Sequence, residues 1–113
     1  MRVDLQKSYL FIYLLPIAIG ILTQEEVWDF DLYIAGETPK SRLTYANLKK
    51  ICDEYLPNTS KITIHDISKY PKLARENEIT AIPTIIRRNP LPKKMLIGDL
   101  SDMDRALSKL ELK

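Results

Sequence analysis

Two residue types that carry covalent chemistry occur once each in this chain, as Cys52 and His65. A thiol-dependent oxidoreductase needs a reactive thiolate at the start of a helix, where the helix dipole lowers the thiol pKa. The first predicted helix is preceded by residues 36–39, GETP, which contain no cysteine. Cys52 falls inside that helix on its apolar stripe, so we expect it to be a small buried hydrophobe. No catalytic residue is predicted.

His65 stands beside Asp66, but the sequence offers no nucleophile for such a pair to activate. One histidine and one cysteine exclude two-histidine motifs and cysteine-based zinc sites. Gly36 has no second glycine at the spacing of a phosphate-binding loop. We therefore expect His65 to be a solvated or packing residue, and we expect neither a metal nor a cofactor.

Basic residues flank a proline-rich loop over residues 89–92, with Arg87 and Arg88 before it and Lys93 and Lys94 after it. One interpretation is a solvated hairpin whose charges protect a sheet edge. Another is a basic patch for an acidic protein partner. Nucleic acid is not expected as a partner, because the net charge is only +2 and no aromatic residue lies between the basic residues.

Alternating apolar residues predict that a first strand spans residues 28–34. A turn follows, in which Thr38 is a good N-cap and Pro39 fits the first helical position. Apolar residues at helical spacing then predict a helix to about Leu56, where Pro57 stops it.

The remaining elements are shorter. Periodicity and turn residues predict, in this order, a short strand at 62–65, a short helix after Pro71, a strand that continues through Ile85 and Ile86, and a strand over 94–98. A last helix follows, for which Ser101 is the predicted cap and Asp104 takes the capping-box position.

The predicted order β-α-β-α-β-β-α begins with a βαβ crossover, whose strands should be parallel. The last two strands are joined by a short loop and should pair antiparallel. Helices on both faces of such a mixed sheet give an α/β, thioredoxin-like architecture. In folds of this kind the proline before the third strand is cis, so Pro83 is the expected cis-proline.

The chain of 113 residues divides at about Val27. Residues 1–26 contain an apolar run at 9–22, which is shorter than the roughly 20 residues of a membrane-spanning helix. Three interpretations stay open: a secretory leader, an extension that packs on the domain, on a partner or at a membrane, and a start codon that truly lies near Val27. Residues 27–113 are the predicted domain.

Four segments of the domain together resemble one family. They are FDLYIAGETPKS at 30–41, IHDISKYPKLA at 64–74, AIPT at 81–84 and IGDLSD at 97–102. In this order they resemble the circadian clock protein KaiB family. The resemblance covers about residues 28–112, which is nearly all of the domain and none of residues 1–26.

The resemblance implies a cytoplasmic, non-enzymatic protein that binds the ring-shaped ATPase KaiC. It also implies KaiA-like and sensor-kinase partners, and a homo-oligomer, either a dimer or a tetramer. Family members exist in two folds, a thioredoxin-like binding form and a ground state that differs after about residue 82.

Two residues depart from the family pattern. Lys109 stands where the family usually has glycine, which costs a helix about 1 kcal/mol, so lysine should favour the helical, thioredoxin-like form. Glu78 stands where a lysine is frequent near the surface used for KaiC. The chain also ends at Lys113 without the acidic tail of many members. These departures indicate a divergent member, in a clock-like or a stress-adaptation timing system.

The expected partner-binding residues form three groups: the first-helix entrance (Gly36, Thr38, Pro39, Ser41), the second-helix surface (Lys69, Arg75, Glu78), and the loop and IGD segment (Arg87, Arg88, Lys93, Gly98, Asp99). Replacing Arg87 and Lys93 with glutamate should then weaken partner binding without unfolding the domain. Two alternatives stay open: a degenerate thioredoxin-like oxidoreductase, and a structural oligomer attached to a membrane.

Overall fold

The computed structural model describes residues 27–113, which form four strands and three helices in the predicted order. The elements are β1 (Trp28–Ile34), α1 (Pro39–Tyr55), β2 (Ser60–Asp66), α2 (Lys72–Glu76), β3 (Thr84–Asn89), β4 (Lys94–Ile97) and α3 (Met103–Lys109). The apolar run at 9–22 and its three interpretations lie outside the described residues. Within residues 27–113, no helix is long and apolar enough to cross a membrane.

The four strands form one sheet in the order β2-β1-β3-β4. β1 pairs with β2 in parallel and with β3 in antiparallel, and β3 pairs with β4 in antiparallel. The predicted crossover and the predicted antiparallel pair are therefore both confirmed. The expected cis peptide bond between Ile82 and Pro83 is also confirmed.

The main core lies on one face of the sheet. Phe30 and Leu32 of β1 are fully buried there against Leu48 of α1 and Leu107 of α3. The opposite face is covered at the end of α2, where the Asn77 side-chain oxygen accepts a hydrogen bond from Arg88 of β3 (2.7 Å). Helices thus lie on both faces, as the sequence predicts.

Two element boundaries differ from the prediction. β2 covers seven residues rather than four, because its whole length pairs with β1. β3 continues through Arg87 and Arg88 to Asn89, so these arginines are strand residues and do not belong to the loop.

The predicted cap of the last helix is wrong. The N-cap of α3 is Asp102, whose carboxylate accepts a hydrogen bond from the backbone N–H of Arg105 (3.1 Å). Ser101 instead donates its backbone N–H (2.9 Å) and its hydroxyl to the carboxylate of Asp99. Ser101 is therefore hydrogen-bonded to the preceding Asp99 and does not cap α3.

Candidate partner-binding surface

Most of the predicted site residues lie at two ends of the sheet, and Arg75 and Glu78 lie in and just after α2. At the first end, which we call the entrance end, Ile34 of β1 pairs with Asp66 of β2, and Thr84 of β3 pairs with Ile97 of β4. At the second, the opposite end, Arg87 pairs with Lys94. A seven-residue strand is roughly 20 Å long, so a compact partner contact cannot be centred on both ends.

The entrance turn is built by local hydrogen bonds. Gly36 has φ +75°, a left-handed conformation that favours glycine. The hydroxyl of Thr38 accepts from the N–H of Ser41 (3.0 Å), and the hydroxyl of Ser41 accepts from the N–H of Thr38 (2.8 Å). Pro39 takes the first helical position, as predicted. The hydroxyl groups of Thr38 and Ser41 therefore fix the start of α1. Because they already make these hydrogen bonds, they are less available to a partner.

Asp66 holds the entrance turn against the end of β2. Its Oδ1 accepts hydrogen bonds from the N–H of Gly36 (2.9 Å) and from the N–H and hydroxyl of Ser68. The Ser68 hydroxyl first, and the Gly36 N–H next, lower the pKa of the Asp66 carboxyl below its ordinary value. This role of Asp66 was not predicted, although β1 and β2 are parallel and end at one edge, where the carboxylate that ends β2 was a usable signal.

A groove runs between the start of α1 and β2, with a volume of about 390 Å³. Its floor includes Ile34 and Ile64, and Ile64 is 48% exposed on the outer strand of the sheet. Its rim carries Glu37, Arg42 and Lys69. The groove thus combines an accessible apolar floor with charges of both signs, which suits a protein partner.

Gly98 and Asp99 lie at the same end of the sheet. The side chain of Asn47 in α1 donates to the carbonyl oxygen of Asp99 (2.8 Å), which ties this segment to the first helix. Gly98 has φ +115°, another left-handed conformation. The Ser101 hydroxyl lowers the pKa of the Asp99 carboxyl, so this group holds its negative charge.

The second-helix residues are accessible. Arg75 and Glu78 are both exposed, and Glu78 has a positive φ of 56° where the chain leaves α2. Lys69 is exposed as well, at the groove rim. All three can present charge to a partner.

Arg87 corrects the expected basic patch. Its side chain is 1% exposed and lies on the core face, with its guanidinium carbon 5.2 Å from the Trp28 ring centre. The guanidinium donates to the carbonyl oxygens of Leu110 and Pro92 (both 2.7 Å) and to Glu111 (3.0 Å). In this fold the side chain of Arg87 is therefore unavailable to a partner, and we expect its replacement with glutamate to destabilise the domain.

The side chain of Arg88 also makes its hydrogen bonds within the domain. It donates to Asp31 (2.7 Å), to the Tyr33 hydroxyl (2.8 Å) and to Asn77 (2.7 Å). The hydrogen bond to Asp31 raises the pKa of Arg88. His65 hydrogen-bonds the same Asp31 carboxylate (3.0 Å), not the neighbouring Asp66. Lys93, in contrast, is exposed at the opposite end.

The structure gives no geometry for thiol chemistry at the entrance. Cys52 is 3% exposed inside α1, and burial raises the pKa of its thiol, which disfavours the thiolate. Among residues 27–113, no three His, Cys, Asp or Glu side chains are grouped so as to hold a metal ion.

Comparisons with solved structures show the fold. The N-terminal domain of Synechococcus elongatus SasA aligns with a TM-score of 0.63 at 16% identity, covering 78% of this chain and 87% of that one. Chloroplastic thioredoxin z aligns with a TM-score of 0.58 at 16% identity, covering 87% and 89%. The predicted thioredoxin-like architecture is therefore confirmed.

Comparisons of sequence show the family. The model of the KaiB domain matches residues 31–112. The circadian clock oscillator protein KaiB of Microcystis aeruginosa is 40% identical over 88 residues, covering 78% of this chain and 85% of that protein. Its counterpart in Synechococcus elongatus is 35% identical over 91 residues, covering 80% and 89%. The chain belongs to the KaiB family.

Proposed function

We propose that this chain is a non-enzymatic regulatory protein that binds a KaiC-type ATPase in a clock-like or stress-adaptation timing system. One observation carries the proposal: the KaiB domain match spans residues 31–112. The matched relatives are named circadian clock oscillator proteins, which supports a clock-related role. KaiA-like and sensor-kinase partners belong to the same proposal, as does action in the cytoplasm.

We place the ATPase contact at the entrance end. The exposed charge of Lys69 lies at the rim of a groove with an apolar floor, and Asp99 lies at the same end of the sheet. Arg75 of α2 and Glu78 just after it add exposed charges on the other face of the sheet. Charges at such a rim set on-rate and specificity more than total affinity. Gly36, Thr38, Pro39, Ser41 and Gly98 contribute the backbone shape of this end, and Pro83 precedes its third strand.

The test is a binding titration of the full chain with the KaiC-type ATPase of the same organism, followed over hours by native mass spectrometry. Lys69→Glu and Arg75→Glu should each weaken binding by about tenfold. Lys61→Glu is the matched control, because Lys61 is exposed at the start of β2, far from the entrance end. No complex with the unaltered chain would contradict the proposed function.

In the same titration, Lys93→Glu tests which end of the sheet contacts the ATPase. The proposal expects it to bind like the unaltered chain, since Lys93 lies at the opposite end. If Lys93→Glu weakens binding while Lys69→Glu does not, the ATPase contact lies at the opposite end. The second packing after about residue 82 stays a prediction, because residues 83–112 here have the thioredoxin-like arrangement.

A further inference from the structure

The loop between β3 and β4 carries the most exposed large apolar side chain among residues 27–113. Leu91 is 77% exposed, whereas the other exposed large apolar side chains range from 37% to 64%. Leu91 lies at the opposite end of the sheet, after Asn89 of β3 and before Lys94 of β4. One exposed leucine alone needs no explanation. The residues around Leu91, however, favour its burial in an apolar medium.

The backbone of this loop has few groups that would lose hydrogen bonds on leaving water. Pro90 and Pro92 have no N–H group. The carbonyl oxygen of Pro92 already accepts a hydrogen bond from the buried guanidinium of Arg87 (2.7 Å). Each backbone group that leaves water without a partner costs free energy. The segment around Leu91 therefore loses less free energy on entering an apolar medium than an ordinary loop does.

Two lysines follow the exposed leucine. Lys93 is exposed, and Lys94 is half-buried where it pairs with Arg87. A lysine can lay its aliphatic stem against apolar groups and keep its ammonium group in water. Glu111, an acidic residue at the same end, is already hydrogen-bonded to Arg87 (3.0 Å). The loop thus joins an apolar side chain to positive charge, which is the combination that anionic bilayers attract.

Residues 1–26 join the domain beside this loop. The side chain of Asn89 donates a hydrogen bond to the carbonyl oxygen of Val27 (2.6 Å), which places the first residue of the domain next to the loop. The apolar run at 9–22 has 14 residues, fewer than the roughly 20 that span a bilayer. A run of this length suits a segment at the membrane interface. Two apolar elements are therefore attached to the same end of the domain.

We infer that the opposite end of the sheet docks on the surface of an anionic bilayer. Leu91 enters the headgroup region, and the ammonium groups of Lys93 and Lys94 bind the anionic headgroups around it. The apolar run at 9–22 supplies a second contact with the bilayer. Two such contacts matter, because a single short apolar element gives only weak and reversible attachment.

The shape of this end favours a bilayer over a protein partner. The groove at the entrance end and the cavity beside Gly98 contain no residue of the loop, so Leu91 is offered as an apolar tip and not as part of a cleft. A bilayer accepts such a tip without a matching pocket. The inference does not rest on the proposed function, because the entrance end lies roughly 20 Å away along the strands and stays accessible.

The test is co-sedimentation of the full chain with vesicles of phosphatidylcholine that contain about 30% phosphatidylglycerol, and with vesicles of phosphatidylcholine alone. The unaltered chain should bind the anionic vesicles more tightly. Leu91→Asp should lower the partition coefficient about tenfold on anionic vesicles. Lys93→Glu should lower it about fivefold on anionic vesicles, with little effect on neutral ones, and this difference should shrink as salt is added.

Tyr70→Asp and Lys72→Glu are the matched controls, because they make the same kinds of change at exposed side chains elsewhere. Tyr70 lies just after the entrance end of β2, where its N–H donates to the carbonyl oxygen of Asp66 (3.1 Å). Both controls should bind like the unaltered chain. Circular dichroism checks that each variant folds.

A second measurement follows the loop directly and does not depend on the charge variants. Leu91→Cys is labelled with an environment-sensitive dye, since Cys52 is 3% exposed and reacts far more slowly. The emission should shift to shorter wavelength on anionic vesicles. A chain that does not bind the vesicles, or a dye at position 91 that stays in water while the chain is bound, would overturn the inference. So would binding that neither Leu91→Asp nor Lys93→Glu weakens, or that the controls weaken equally.

Discussion

The two ends of the sheet use charged residues in opposite ways. At the entrance end, Lys69 is exposed, while the carboxylate of Asp66 accepts hydrogen bonds that hold a backbone turn. At the opposite end, Arg87 is enclosed by the core face and binds the backbone beyond α3. The entrance end therefore offers charge to a partner, whereas the opposite end uses its arginines to hold strands and helices together.

This difference shows why a run of basic residues does not by itself define a binding surface. Arg87 and Lys93 are six residues apart and look alike in sequence, yet one is buried and the other exposed. The alternation of side chains along β3 determines which arginine is buried in the core. Ile85 and Arg87 face the core side, while Arg88 faces the side of α2. A buried guanidinium needs acceptors, and the chain supplies them after α3 and in the proline-rich loop.

Among the variants, Arg87→Glu should have the largest effect on stability, and it tests whether the opposite end uses its arginine for structure. The variant loses hydrogen bonds to two carbonyl oxygens and to Glu111, and it puts a carboxylate where acceptors already converge. We expect a loss of about 3 kcal/mol or more in the free energy of unfolding, measured by urea denaturation. Lys93→Glu makes the same charge change on an exposed side chain and should stay within about 0.5 kcal/mol. Equal losses in the two variants would contradict the assigned roles.

Arg88→Met should have the next largest effect. The variant keeps an apolar stem but leaves Asp31, Tyr33 and Asn77 without their shared donor. Because Arg88 is about one third exposed, water compensates part of the loss, and we expect about 2 kcal/mol. The measurement is again urea denaturation. Arg75→Met is the control, since the same change at an exposed side chain of α2 should be nearly neutral for stability.

Thr38→Ala tests the entrance end for its own structural role. The variant removes one half of the reciprocal capping pair with Ser41 and should cost about 1 kcal/mol. Thr80→Ala is the control, because Thr80 is exposed and lies outside the helices and strands. A thermal melt of both variants measures the difference. A Thr38→Ala melt that matches Thr80→Ala would show that α1 begins without its cap.

Periodicity, capping residues and turn residues predicted the fold well. They did not predict the contacts that polar side chains make with residues distant in the sequence. Thr38 and Pro39 fix the start of α1 by interactions with adjacent residues, so the sequence predicts that boundary. The partners of Arg87 lie up to 24 residues away, and no pattern in the neighbouring sequence indicates them. The pairing of His65 with Asp31 instead of Asp66 has the same cause, because the adjacent aspartate points to Gly36.

Variants of Asp66 should have the smallest effect on stability. Their effect should depend on pH, because the pKa of the Asp66 carboxyl is lowered in the folded chain. Hydrogen bonds from Ser68 and Gly36 lower the pKa of its carboxyl in the folded chain, below the ordinary value near 3.9. The contribution to stability is therefore present above about pH 4 and is lost as the pH falls through the folded pKa. An NMR titration should show the Asp66 carboxyl titrating below 3.9, and closer to that value in Ser68→Ala. Asp66→Asn should make stability less dependent on acid. An unchanged Asp66 titration in Ser68→Ala would contradict the role assigned to the Ser68 hydroxyl in lowering this pKa.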